Sequence, residues 1–328
     1  MKQVMSEKDF RRFETMVKMT QSGLKRVMMQ WLQQKYNTVI ETNDYIYAIG
    51  DIPIALAAHL DTVFPKPVVD LYYDTKKNVM FSPDGLGADD RAGVFAITEI
   101  IRSGRRPHVI LSTDEEKGCV GASHLAAIAC PFPDLRYVIQ LDRRGENDCV
   151  FYDCDNRDFV NYVEKFGFEE AYGSFTDITE YCPAWEIAGV NLSVGYRNEH
   201  TTSEILNVTH LFNTIEKVKK MLDEKEIPSF KYIPYAYGFY GGYGVGGTNL
   251  LYHIGKCGKC NQSEFEEDMY PVVQGDGTSR LYCPDCLSDR TVHWCSMCQM
   301  PFDSTQTKFQ YICPVCATKE KEDKKNGN

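Results

Sequence analysis

Ile52-Pro53-Ile54-Ala55-Leu56-Ala57-Ala58-His59-Leu60-Asp61 is the stretch that decides the reading of this 328-residue chain. An apolar run without polar alternation is what a strand buried on both faces requires, and such strands belong to mostly parallel sheets covered by helices. The run ends on an imidazole and a carboxylate two residues apart. Alternation along a strand puts both on one face, where Asp61 can fix the tautomer of His59. A solvated strand end would carry the same two residues.

The flanking sequence repeats the theme. Residues 7–35 carry helical apolar spacing, and a strand pair follows over 38–42 and 45–49, turned by Asn43-Asp44. Downstream the chain predicts a helix over 92–102, a strand over 109–113, a helix over 122–130 and a strand over 137–141. Strands alternating with helices indicate an α/β three-layer sandwich with a mostly parallel central sheet. Further elements are expected at 149–154 (strand), 157–166 (helix) and 190–196 (strand). Thr201-x-x-Glu204 reads as a capping box opening a helix to about 224.

Each main strand delivers a polar residue at its end. After 109–113 come Asp114-Glu115-Glu116, adjacent carboxylates that repel each other unless a cation is present. After 137–141 comes Asp142. Gly87-Ala88-Asp89-Asp90-Arg91-Ala92-Gly93 leads into the first predicted helix, where a carboxylate could equally serve as an N-cap. His200 precedes the last one. Ligands of open α/β sheets bind beyond the carboxyl ends of the strands. Two histidines and three carboxylates suit a pair of zinc ions, and one extra glutamate suits a general base. His108, His124, His210, His253 and His293 lack comparable partners and read as surface or packing residues.

Composition narrows the classes. With 43% hydrophobic and 25% charged residues the chain resembles an ordinary soluble protein, and its net charge of −10 argues against a phosphate backbone as main partner. No apolar stretch spans a membrane, and Met1-Lys2-Gln3-Val4 does not open a signal peptide, so a cytoplasmic location is expected. Of the 13 cysteines, Cys119, Cys130, Cys149, Cys154 and Cys182 are scattered as small core residues would be. The other eight form the pairs Cys257/Cys260, Cys283/Cys286, Cys295/Cys298 and Cys313/Cys316. Eight thiolates suffice for two tetrahedral zinc sites, and metal would supply the folding energy of so short a module. Sequential pairing gives zinc ribbons and alternating pairing a cross-brace; spacing does not choose. Residues 251–328 hold 9 Lys/Arg against 11 Asp/Glu, so a nucleic-acid footprint is missing and a protein partner suits the module better. The expected organisation is a domain over 1–236, a Gly/Tyr-rich linker over 237–250, the cysteine module over 251–318 and a charged tail over 319–328.

The order His-x-Asp, Gly-x-Asp-Asp-Arg-x-Gly, Asp-Glu-Glu, Asp, then His with a following Thr/Ser and Glu resembles the dizinc exopeptidase superfamily over roughly residues 10–222. That group includes peptidase T-like enzymes, glutamate carboxypeptidases and co-catalytic zinc aminopeptidases. The resemblance implies that His59 and Asp142 hold one zinc, Glu116 and His200 the other, and that Asp89 bridges them. Glu115 would be the general base and Asp61 the histidine orienter. Co2+ or Mn2+ are alternatives at that centre, and two further zinc ions would be structural. Arg91 stands where the peptidase T-like pattern usually has lysine. With 29 residues between His59 and Asp89, and 57 between Asp142 and His200, neither gap holds the lid domain of the larger relatives. The chain therefore resembles the lidless zinc aminopeptidases.

The implied function is hydrolysis of peptide bonds from a free amino terminus. A dizinc amidohydrolase or carboxypeptidase acting on N-acyl or C-terminal substrates is the first alternative; a non-catalytic adaptor on a peptidase scaffold is the second, which an intact Glu115 disfavours. Asp177, Tyr196 and Arg197 are the candidate substrate contacts, the last as a carboxylate clamp.

Overall fold

The computed structural model describes residues 4–173, 175–234, 254–265, 269–287, 291–298, 300–307 and 311–318. The chain divides into two compact units, Met1–Gly238 and Phe239–Asn328. The expected linker and the tail over 319–328 lie outside the described residues.

In the first unit the elements follow the order α1 (Glu7–Val17), α2 (Gln21–Gln33), β1 (Thr38–Glu41), β2 (Tyr45–Ile49), β3 (Ile52–His59), β4 (Tyr72–Asp74), β5 (Val79–Phe81), α3 (Ala88–Arg102), β6 (Pro107–Ser112), α4 (Val120–Ala126), β7 (Tyr137–Arg143), β8 (Asp148–Val150), α5 (Arg157–Glu164), β9 (Glu169–Glu170), α6 (Ile178–Ala184), β10 (Gly189–Ser193), β11 (Tyr196–Arg197), β12 (Ile205–Asn207) and α7 (Val208–Leu222). The single helical stretch expected over 7–35 is two helices. Ser6 caps the first and Thr20 the second, accepting from Gly23 N.

Eight strands form the central sheet in the order β1-β2-β6-β3-β7-β10-β8-β9. Its centre, β6-β3-β7-β10, is parallel, while β1, β2 and β8 join antiparallel. Strand β3 lies in the middle, between β6 and β7. Its alternation shows in the core: Ile54, Leu56 and Ala58 pack with Val109, Leu111, Ile139 and Leu141 on one face. Ala55 and Ala57 pack with Ile110 and Val138 on the other. Helices α1, α2, α3, α5 and α7 contribute to the first core, and α4 and α6 to the second. This is the expected three-layer α/β sandwich. His108 is a packing residue, stacked on Phe132 with ring centroids 4.8 Å apart.

A smaller antiparallel sheet, β11-β12-β5-β4, flanks the first. It overturns one expectation. Residues 205–207 are a strand, and α7 starts at Val208, capped by Asn207, whose side chain accepts from Thr209 N and His210 N. Thr201 and Glu204 form no capping box; their stretch is the loop between β11 and β12. The Glu204 carboxylate goes elsewhere in the fold.

In the second unit β13 (Ile254–Lys256) pairs with β14 (Ser263–Phe265). The strands β15 (Tyr270–Val273), β16 (Ser279–Tyr282), β17 (Val292–Trp294) and β18 (Pro301–Asp303) form a sheet in the order β16-β15-β18-β17. Adjacent β15 residues serve opposite faces: Val272 packs near Cys257 and Cys283, Val273 near Cys295, Cys313 and Cys316. Among the described residues no helix is long and apolar enough to cross a membrane.

Candidate metal centre

Four parallel strands end at the same edge, and the loops beyond them bring the motif residues together. His59 closes β3 and is 1% exposed. Its Nδ1 lies 3.3 Å from Asp61 Oδ1. Its Nε2 lies 3.1 Å from Asp89 Oδ1, 3.5 Å from Asp142 Oδ1 and 3.9 Å from Glu115 Oε2. His200, in the loop between β11 and β12, places Nε2 3.2 Å from Asp89 Oδ2 and 3.1 Å from Glu116 Oε2. Asp89 thus faces one imidazole with each oxygen.

Asp89 and Asp90 divide two tasks. The backbone of both departs from helical geometry, so regular α3 begins after them. Asp90 is completely buried, and its oxygens accept from Gly93 N at 2.8 Å and His59 N at 3.2 Å. Although Asp90 lies within reach of the His59 and Asp142 donors, those backbone bonds occupy it; it ties α3 to the end of β3.

Asp61 also reaches the loop after β6. Its two oxygens accept from the backbone N–H groups of Glu115 and Glu116, each at 3.1 Å. One carboxylate therefore holds the turn Glu115–Lys117, which carries two further candidates, while lying 3.3 Å from the imidazole. Asp142, at the end of β7, is held by Gln140 Nε2 at 2.9 Å, Thr176 Oγ1 at 3.1 Å and the Tyr196 hydroxyl at 3.2 Å.

Glu204 is the residue the sequence reading missed. It is completely buried and accepts from Gly87 N at 2.6 Å and Asp89 N at 3.0 Å. A glutamate four residues past His200 looked like a helix cap; the apolar Ile205 and Leu206 directly after it were the signal that the segment is buried strand.

The candidate substrate contacts fare unequally. Tyr196 lines the cavity, its hydroxyl donating to Asp142. Asp177 is 1% exposed, bonded to Ser112 Oγ and gathered with Glu115 and Cys119 behind the cluster, so it cannot meet a substrate. Arg197 alternates out of β11 to the exposed side and does not line the cavity. Arg143, Arg144 and Glu199, which do line it, were legible only as charged neighbours of Asp142 and His200.

Electrostatics mark the cluster as built for cations. Burial pushes the Glu115 carboxyl up to about 9 and that of Asp142 up to about 7, with nearby carboxylates adding to both. Bonds to Asp89 and Glu116 raise His200 to about 11. The Oε1 atom of Glu116 is buried with no hydrogen-bond partner among the described residues. A buried carboxylate oxygen without a donor, beside imidazoles aimed at other carboxylates, fits divalent metal. A cavity of about 150 Å³ opens onto the cluster past Asp89, Glu115, Asp142 and His200.

In the second unit Cys257, Cys260, Cys283 and Cys286 form one group, and Cys295, Cys298, Cys313 and Cys316 another, with the sulfurs of each within 4.8 Å of one another. Pairing is sequential. The two groups repeat one geometry: Cys283 N donates to Cys257 Sγ, and Cys313 N to Cys295 Sγ, each at 3.3 Å. Against burial, which acts the other way, backbone N–H groups bring the Cys257 and Cys295 thiols down to about 6, favouring the thiolates that a metal needs.

Comparison with known proteins agrees with this geometry. Residues 38–166 match the profile of peptidase family M28. A TET aminopeptidase from the marine sediment archaeon Thaumarchaeota archaeon SCGC AB-539-E09 shares the fold at 13% identity, with 68% of this chain and 98% of that one covered and a TM-score of 0.55. A tripeptidase from Staphylococcus aureus does so at 14% identity, 66% and 98% coverage and a TM-score of 0.53. The aminopeptidase PepT from Bacillus cereus follows at 16% identity, 65% and 96% coverage and a TM-score of 0.50. No curated protein matches the chain. The first unit thus shares its fold with these peptidases and carries a stretch similar to peptidase family M28, and the second unit holds two four-cysteine clusters that fit a zinc ribbon.

Proposed function

We propose that the first unit is an aminopeptidase working with two zinc ions. The carrying observation is Asp89, whose two oxygens face His59 and His200 at 3.1 Å and 3.2 Å, as a bridging carboxylate would. His59 and Asp142 would hold one ion, Glu116 and His200 the other, and Asp89 both. Zinc, when bound, supplies Lewis acidity and a water acidic enough to ionise near neutrality. Glu115, free of metal in this assignment, lines the cavity and takes the proton from the attacking water, then returns it to the leaving amine. Asp61 keeps His59 and the Glu115–Glu116 turn in register. The eight cysteines would hold two more zinc ions in a structural role, with a protein partner as the module's expected contact.

The choice of the amino end rests on two supports. The fold relatives include aminopeptidases and a tripeptidase. Glu115, left free of metal in this assignment, adds a carboxylate to the cavity lining, which favours the cationic end of a peptide. Short peptides with a free amino terminus should therefore be cleaved from that end, and their N-acetylated forms cleaved at least about tenfold more slowly, one lost charge-assisted contact. Equal rates on free and blocked peptides would replace this reading by the amidohydrolase or carboxypeptidase alternative.

A further inference from the structure

Past the ligand cluster, the cavity of about 150 Å³ has three charged walls: Arg143, Arg144 and Glu199. Arg144 Nη1 lies 2.9 Å from Glu199 Oε1, so those two charges compensate each other. Arg143 is different. It is the last residue of β7, directly after Asp142, and its side chain is 19% exposed. Its Nη2 donates to the Tyr172 carbonyl at 2.8 Å, while Nε is buried with no hydrogen-bond partner among the described residues. The carboxylate paired with it, Asp148, stays 3.9 Å away, beyond hydrogen-bond distance. Two divalent ions would balance their carboxylate ligands Asp89, Glu116 and Asp142. Arg143 is then a sheltered cation whose paired carboxylate, Asp148, makes no hydrogen bond to it, at the wall where a substrate must sit.

We propose that Arg143 reads a carboxylate of the peptide substrate. A guanidinium presents a planar fork that matches a carboxylate, and a sheltered one whose paired carboxylate lies beyond hydrogen-bond distance gains most from a closer anionic acceptor. The carboxylate has two sources: the side chain of an acidic N-terminal residue, or the C-terminus of a peptide short enough to reach from the metals to Arg143. This inference rests on the peptidase reading for its substrate class, while the cation in the wall does not.

Four peptides separate the sources: Glu-Leu-amide against Gln-Leu-amide, and Leu-Gly-Gly against its C-terminal amide. The zinc-loaded full-length protein should favour the carboxylate member of one pair by at least about tenfold in kcat/KM, carried mainly by KM. The same preference should appear as tighter binding in calorimetric titration of the Glu115→Gln protein, where the peptides survive. In Arg143→Met the ratio should fall to near one. In Arg143→Lys, which keeps the charge and a donor for the Tyr172 carbonyl, it should be intermediate and so separates recognition from misfolding. Preference in the first pair assigns the side chain, and preference in the second the C-terminus. Hydrolysis without preference in either pair, or a preference that survives Arg143→Met in a folded protein, overturns the proposal while leaving the peptidase standing. Preferential binding through Arg143 with no hydrolysis of any peptide would overturn the peptidase reading and leave this one intact.

Discussion

The two units gather candidate metal-binding side chains by opposite means. In the first, donors come from positions as far apart as His59 and His200, and a sheet buried on both faces brings them to one edge. In the second, the donors are local pairs, and the apolar side chains around each group of thiols are few. The difference teaches which comes first. The first unit is a fold that can hold metal; the second is a metal site that can make a fold.

The largest effect expected from this contrast is on chelation. Structural zinc in cysteine modules is tied to folding by about 10 to 16 kcal/mol, so stripping the second unit should abolish its structure. Stripping the first unit should leave its secondary structure in place, because its core does not pass through the ligands. Mild chelation should remove the histidine–carboxylate ions first, since four thiolates close a site that the first unit leaves open to its cavity. Metal analysis and protease sensitivity of the full chain at increasing chelator strength read both steps. A first unit that unfolds on mild chelation, or a second that stays protease-resistant without metal, would break the contrast.

Next in size is the chemistry at Glu115. Glu115→Gln preserves shape and removes the proton acceptor, so turnover should fall by about 10² to 10⁴ with metal content unchanged. A variant that retains more than a tenth of the activity would move the base elsewhere.

Legibility in the sequence follows the same division. The central strand 52–60 was plain because burial on both faces leaves no polar residue to confuse the pattern, and the candidate ligands sit where such strands end. The cysteine pairs were equally plain, although their order of pairing was not, since that depends on the sheet joining β15 to β18. What stayed hidden were residues whose local pattern had a second meaning. Thr201-x-x-Glu204 has the spacing of a capping box, yet a tertiary demand from Gly87 and Asp89 took the carboxylate and Asn207 took the cap. Asp177 looked like a loop residue beside a pocket and is instead covered by α4 and α6, in contact with Ser112 and Cys119. Arg143 was hidden because alternation along a strand assigns it the face opposite to Asp142, a rule that loosens at a strand's last residue.

Glu204 gives the smallest and most discriminating test. Its two oxygens accept from two backbone N–H groups, those of Gly87 and Asp89, and so fix the loop that carries Asp89. Glu204→Gln leaves one acceptor and turns an NH2 donor toward the other N–H, which then has no partner in a fully buried position. Changes in groups that orient ligands typically cost 10- to 100-fold, or about 1.4 to 2.7 kcal/mol, in metal affinity. The loss should fall on the histidine–carboxylate ions alone, with the cysteine-bound ions unaffected, as competition with a chromogenic chelator would read. Thr201→Ala is the control. A capping box would make it shorten α7, whereas Asn207 caps that helix here and the helical content should not change. If Glu204→Gln binds metal as tightly as the parent, Asp89 is held by the packing of α3 alone. The first unit would then be even more a preformed fold, and the second the sole place where single polar contacts decide the metal.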